Sequence, residues 1–241
     1  MSVKEKLPMH LSACLLLLVS TFASSLAASQ AGIDWDTYWP GDDDKIIDAI
    51  NEGELNFLEQ PPEKPVHHHQ NKFFIDKSSI ESGWIRLEQC HDNLDKFHRA
   101  QIVYNQDKIR NLRITEFRNI GEARVVDHTV QLTEVGSNAR LCVEAESRAL
   151  TAQQDGTFVL QNGPFMRRFL DGYFPMRVTI DIQLPENLNY IDIEPGEQPG
   201  LSVVRREQQL HLDAWFEGRL VTRIRFKLSP ETNTSEKKNQ G

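Results

Sequence analysis

The feature that most limits what this chain can become is an alternation of period two, which dominates from Phe73 to Leu228. Its clearest stretch is Met176-Arg177-Val178-Thr179-Ile180-Asp181-Ile182-Gln183-Leu184, with five apolar residues on one face and polar ones between. Successive side chains of a strand point to opposite faces, so this is the pattern of a strand with one side in a core. Ile102, Val103 and Tyr104; Leu112 and Ile114; Val130 and Leu132; Leu141, Val143 and Ala145; and Phe158 and Leu160 mark further short strands. Asp155-Gly156 and Gly136-Ser137-Asn138 read as turns between them. Roughly ten to twelve such strands predict an all-β fold, an antiparallel β-sandwich over residues 66–228, with a closed barrel as the alternative.

The last two strands can be read in register. Leu210, Leu212, Ala214 and Phe216 alternate inward, as do Leu220, Thr222, Ile224 and Phe226. A hairpin with the loop Glu217-Gly218-Arg219 would pair Phe216 with Leu220 and Asp213 with Arg223, matching the faces throughout. One small helix is expected to interrupt the strands between Pro164 and Gly172. Proline suits a first helical position and glycine the position past the last turn. Phe165 with Phe169, and Met166 with Leu170, would form its apolar stripe.

Before the alternation begins, the composition is different. Lys4 and Lys6 precede the apolar run Leu11 to Phe22, with small residues positioned for cleavage after Ala27 or Ala31. The run is about 12 residues, too short for a membrane span of roughly 20. It predicts a cleaved signal over residues 1–27 and export of the mature protein. The leucine-rich form looks bacterial, which places the protein in the periplasm, with extracellular secretion as the alternative. Leu11-Ser12-Ala13-Cys14 imitates a lipobox, but the apolar residues follow Cys14 instead of preceding it, which argues against a lipoprotein. Residues 28–65 hold Trp35, Tyr38 and Trp39, then Asp42-Asp43-Asp44, then Ile46, Ile47, Ile50, Leu55 and Leu58 at helical spacing. A short helix followed by a Pro-rich linker is expected there, with Trp35 and Trp39 as candidate partner contacts, since tryptophan is favoured at interface hot spots. Residues 229–241 lack large apolar side chains and read as a disordered tail.

Charge narrows the function. The chain has 27 Lys+Arg against 35 Asp+Glu, a formal net charge of -8, so it offers no basic excess to a nucleic-acid backbone. No GxSxG, SxxK or HExxH pattern is present, and no glycine-rich phosphate loop, so no enzyme class is indicated. Export removes Cys14 and leaves Cys90 and Cys142, an even pair in an oxidising compartment, expected as a disulfide. Alternation places Cys90 on the face of Arg86 and Glu88, and Cys142 on that of Arg140 and Glu144. Both thiols then lie on the polar sides of their strands, which fits a bond within one sheet.

Metal chemistry is the sharpest local signal. In His67-His68-His69 an extended backbone turns His67 and His69 the same way, and zinc and copper both accept imidazole. His91, His98, His128 and His211 could complete a site. His67, His69 and His91 are the candidate ligands. The run His91-Asp92-Asn93-Leu94-Asp95 lacks the alternating oxygens and glycine of a calcium loop. Arg167 and Arg168 are candidates for holding an anionic group or a partner's carboxylates. The leading expectation is an exported, non-enzymatic binding module acting on a protein or envelope component. The alternative is a periplasmic copper- or zinc-binding protein, which requires one of the distant histidines to lie beside the triplet.

Overall fold

Nearly every stretch of alternation becomes strand. The computed structural model describes residues 53–169 and 172–229, and the signal segment, Trp35, Trp39 and the tail beyond Ser229 lie outside them. The first strands are β1 (Asn56–Phe57), β2 (His68–Phe74), β3 (Ile85–Leu94), β4 (Phe97–Val103), β5 (Ile109–Val126) and β6 (Thr129–Ser147). Then come β7 (Leu150–Ala152), β8 (Thr157–Phe165), β9 (Arg167–Phe169), β10 (Gly172–Phe174) and β11 (Met176–Gln183). The chain closes with β12 (Leu188–Glu194), β13 (Leu201–Arg206), β14 (Gln209–Glu217) and β15 (Leu220–Leu228). One helix of a turn and a half, α1 (Lys77–Ser82), follows β2, started by the Asp76 carboxylate on the Ser79 amide and stopped by left-handed Gly83.

Two open sheets carry the fold, and neither closes into a barrel. The larger runs β1-β14-β11-β2-β3-β6-β4, with β13 added on β14 and β5 on β6. The smaller runs β12-β15-β8-β7. All pairings are antiparallel except β2 with β11, which lie parallel with His69 opposite Val178 and Phe73 opposite Ile182. The main core lies where the inner faces of the two sheets meet. The predicted inward set of β11 is there in full, from Met176 to Leu184. Phe73, Phe165, Phe216 and Phe226 supply the bulk. A second cluster around Val130, Leu132, Ala139 and Leu141 forms on β6, under the long β5–β6 ladder and β4.

Four local expectations are overturned. The inward faces of β14 and β15 are as read, with Phe216 and Leu220 both fully buried, but the two strands do not pair. β14 lies between β11 and β13 in the larger sheet, whereas β15 lies between β12 and β8 in the smaller one. The chain crosses from one sheet to the other at Gly218, and Asp213 pairs with Arg177 at 2.6 Å instead of with Arg223. Period two fixes which face is buried; it is blind to which of two facing sheets a strand joins.

Among the described residues from Pro164 to Gly172 the expected helix is absent. Phe165 ends β8 opposite Leu220 inside the core, and β9 and β10 pair as a short ribbon of their own. A helical stripe would bury Phe169 with Phe165, yet Phe169 is 57% exposed while Phe165 is buried. Gly163, at φ +100°, lies where a Cβ would come within 2.6 Å of the Leu220 carbonyl, so the strand bends at a point that excludes a side chain. In the N-terminal segment the described part of the expected helix is also strand, because β1 adds to β14 with Phe57 opposite Phe216. The remainder of that helix lies outside the described residues. Gly136-Ser137-Asn138 is no turn either. It sits within β6, where pairing with β3 ends at Ala139 and pairing with β4 begins at Val135, and Glu134 and Asn138 take positive φ on either side.

Cys90 and Cys142 are bonded and face each other across β3 and β6, a link within one sheet as the polar faces of their strands implied. Replacing both by serine is expected to lower stability to chemical denaturation by about 4 kcal/mol, the loop-entropy value for a bridge between residues this far apart. Matching denaturation curves for the bridged and serine forms would refute that contribution.

Candidate metal centre

The core-facing positions of β2 and β3 change character along the strands. At one end Phe73 faces Leu87, next Asn71 faces Gln89, and then His69 faces His91. His67, two residues before Asn71's histidine neighbour, continues the same face. The inner surface thus grades from hydrocarbon through amide to imidazole within three cross-strand pairs.

At the imidazole end three rings meet. His67 and His91 stack at 5.3 Å between centroids, and His69 meets His91 edge-on at 4.4 Å. One ring nitrogen from each of the three lies within 4.8 Å of the others. The His67 Nε2 to His91 Nδ1 separation is 3.0 Å. Two nitrogens on a tetrahedral zinc stand about 3.3 Å apart, given zinc–nitrogen bonds of about 2.0–2.1 Å. The His67–His91 nitrogen separation is thus within a few tenths of an ångström of that between two ligands on one ion, and His69 lies within reach of the same point.

The amides decide which nitrogens are available. Asn71 Oδ1 accepts from Gln89 Nε2 at 2.9 Å and lies 2.9 Å from His69 Nε2. A carbonyl oxygen only accepts, so His69 carries its proton on Nε2 and keeps a lone pair on Nδ1. Gln89 Oε1 accepts from the Tyr104 hydroxyl at 2.6 Å and lies 3.2 Å from His91 Nε2. The same argument places the His91 proton on Nε2 and its lone pair on Nδ1, the atom facing His67. Ligating histidines in metal sites commonly donate their other N–H to an oxygen in this way, which orients the ring and raises its basicity.

Burial keeps the rings neutral. It pushes His69 down to about 3 and His67 to about 4, and holds His91 well below the usual imidazole range. For His67 the nearby Asp95 carboxylate opposes the fall and Arg167 adds to it. Neutral imidazole is the ligating form, so at neutral pH no proton has to leave before an ion binds. His68 points to the other face, with Nε2 3.0 Å from the Thr179 hydroxyl, and desolvation lowers it to about 4.

The structure brings together the three candidate ligands His67, His69 and His91, and leaves His98, His128 and His211 elsewhere. His98 sits against Glu134 on the surface, His211 lies 2.7 Å from Asp181, and His128 lies between β5 and β6. Arg167 does not face solvent as an open anion site. It grips Asp95 through two bonds of 2.6 and 2.9 Å. Arg168 lies over the Tyr173 ring. Asp92, in the segment compared with a calcium loop, ends β3 and holds Arg140 at 2.6 and 2.7 Å. Asn71, Gln89 and Tyr104 were not singled out from sequence. Extending the period-two face from His67 and His69 forward to Asn71, and from His91 back to Gln89, would have found the two amides.

Gln89→Leu is expected to release the His91 ring and weaken binding of zinc or copper about 10- to 100-fold, measured by calorimetry, with the fold retained by circular dichroism. The metal-free protein should also lose stability in acid. With the folded imidazoles below the unfolded value of about 6.5, the unfolded state takes up protons first as pH falls. Stability is then expected to decline from about pH 6.5 toward pH 4, and His69→Asn should flatten that slope in a melting series. No protein-family model matches the chain, and no curated protein matches it in sequence. Two solved structures share part of its backbone course. One is a two-domain M1 zinc metallopeptidase mutant bound to L-tryptophan, at TM-score 0.36 and 11% identity, over 74% of this chain and 43% of that one. The other is an M1 zinc metallopeptidase mutant from Deinococcus radiodurans bound to a Tyr-Ser-Ala substrate, at TM-score 0.37 and 10% identity, over 73% and 43%. This chain thus spans less than half the length of either, and likeness of that degree assigns neither family nor activity.

Proposed function

We propose that this protein is an exported, non-enzymatic β-sandwich that binds one divalent zinc or copper ion through His67, His69 and His91. The observation that carries the reading is the convergence of three neutral imidazoles, two of them oriented by amide oxygens at Nε2 so that Nδ1 carries the lone pair. Three nitrogen ligands leave a fourth position open, to be taken by water or by a group from a partner. Imidazole suits both ions, and copper(II) precedes zinc in intrinsic affinity, so the resident ion follows availability as much as preference. The proposed site lies at the polar end of an apolar core. Hydrocarbon on one side and satisfied amides on the other hold the ligands rigid, which favours retention and delivery of an ion over turnover.

Elemental analysis of untagged protein, joined to calorimetric titration of the chelated form with zinc and copper(II), tests this. About one equivalent of either ion is expected, with binding lost in His67→Ala and His91→Ala and kept in His98→Ala. A protein that retains no metal and takes up neither ion would overturn the proposal.

A further inference from the structure

Beyond the metal site, we infer a second binding site for a small polyhydroxylated anion, a hexose-sized sugar carrying a carboxylate or a phosphate. It is a cavity of about 250 Å³ between the inner face of β2–β3 and the β7–β8 edge. Ligand sites run upward from roughly 300 Å³, so this volume fits a single sugar unit better than a larger molecule.

Its lining has the chemistry such a ligand needs. The floor includes Phe73 and Leu87, which offer an apolar surface to the C–H face of a sugar ring. Five amides line the walls: Asn71 and Gln89 are committed to the histidine network, which leaves Asn105, Gln161 and Asn162 to face a ligand. An amide presents a donor and an acceptor together, which matches a hydroxyl that both donates and accepts. One donor there is left over. Asn162 Oδ1 accepts from the Gly163 amide at 3.0 Å and from Asn71 Nδ2 at 3.3 Å, while Asn162 Nδ2 is buried with no partner among the described residues. Buried polar groups without partners are rare in native proteins and call for an explanation, here a ligand oxygen.

Lys108 and Arg148 supply the charge. Both line the cavity, and the Arg148 amide donates to the Lys108 carbonyl at 2.9 Å, which holds the two residues together. Among the described residues neither cation has an ion-pair partner, and no Asp or Glu lines the cavity. Lys108 and Arg148 can each donate a charge-assisted hydrogen bond to a carboxylate or phosphate, a stronger bond than either makes to the hydroxyl of a neutral sugar. A neighbouring cavity of about 450 Å³ shares Lys108, Arg148 and Thr151, so there is room beside the first unit for a second.

The test is calorimetric titration of the chelated protein with glucuronate, glucose 6-phosphate and glucose, which keeps it independent of the metal. At least one anionic sugar is expected to bind about tenfold or more tightly than glucose, and Lys108→Gln and Arg148→Gln each to cost about tenfold, the effect of losing one charged hydrogen bond. Binding of glucuronate alone identifies a carboxylate ligand, and binding of glucose 6-phosphate alone a phosphate. Both substitutions are at exposed positions, and unchanged melting curves would show that the fold is intact. Failure of both anions to bind at about 10 mM, affinity for glucose equal to theirs, or wild-type affinity in both variants would overturn the inference.

Discussion

The inner face of β2 and β3 depends on how many hydrogen bonds two carbonyl oxygens accept. Asn71 Oδ1 and Gln89 Oε1 each accept one bond, from the Gln89 amide and the Tyr104 hydroxyl respectively. Each then has one place left, and a histidine N–H fills it. If Asn71 alone turned over, its Nδ2–H would face the Gln89 Nε2–H in a buried setting, at a cost of about 1–3 kcal/mol for each group left unmatched. The amides take the orientation in which each of these groups is matched. The protons of His69 and His91, the direction of their lone pairs and the standing of His67 all follow from it.

The same arrangement explains why polar side chains occupy what would otherwise be core. An imidazole or amide buried without a partner is costly, and here each partners the next along the face. Phe165 packs edge-on against His69 at 4.8 Å and closes the network from the smaller sheet. Two polar atoms stay outside the accounting, Asn162 Nδ2 and the Thr222 hydroxyl, and their residues lie opposite each other on β8 and β15. The polar seam thus runs from the larger sheet across to the smaller one.

How far the sequence could be read varied with the range of the signal. Burial was legible residue by residue, because alternation is a local property: every inward position named on β11, β14 and β15 is buried. The cysteine pair was legible because the expected export and the faces of the two strands both pointed to it. Strand partners were not legible. The β14–β15 hairpin failed although its faces matched, and the Pro164–Gly172 helix failed because the pull of Phe165 into the core is a tertiary effect that i,i+4 spacing does not contain. The histidine cluster falls between these cases. His67 and His69 were marked by their spacing, but only the pairing of β2 with β3 brings His91 to them.

The parallel contact of β2 with β11 joins residues more than a hundred positions apart, and β15 reaches back across the chain to β8. Adjacent β14 and β15 part company in the meantime, so the easiest local hairpin at that end is one the native fold does not contain. Structures built on distant pairings fold slowly, since a long loop must close before its contacts repay the lost entropy. His67 and His69 are carried by β2, Phe165 by β8, and the strand that braces β2 arrives late in synthesis. The imidazole cluster accordingly comes together only when the two sheets close on each other, and its chemistry is a readout of a finished fold.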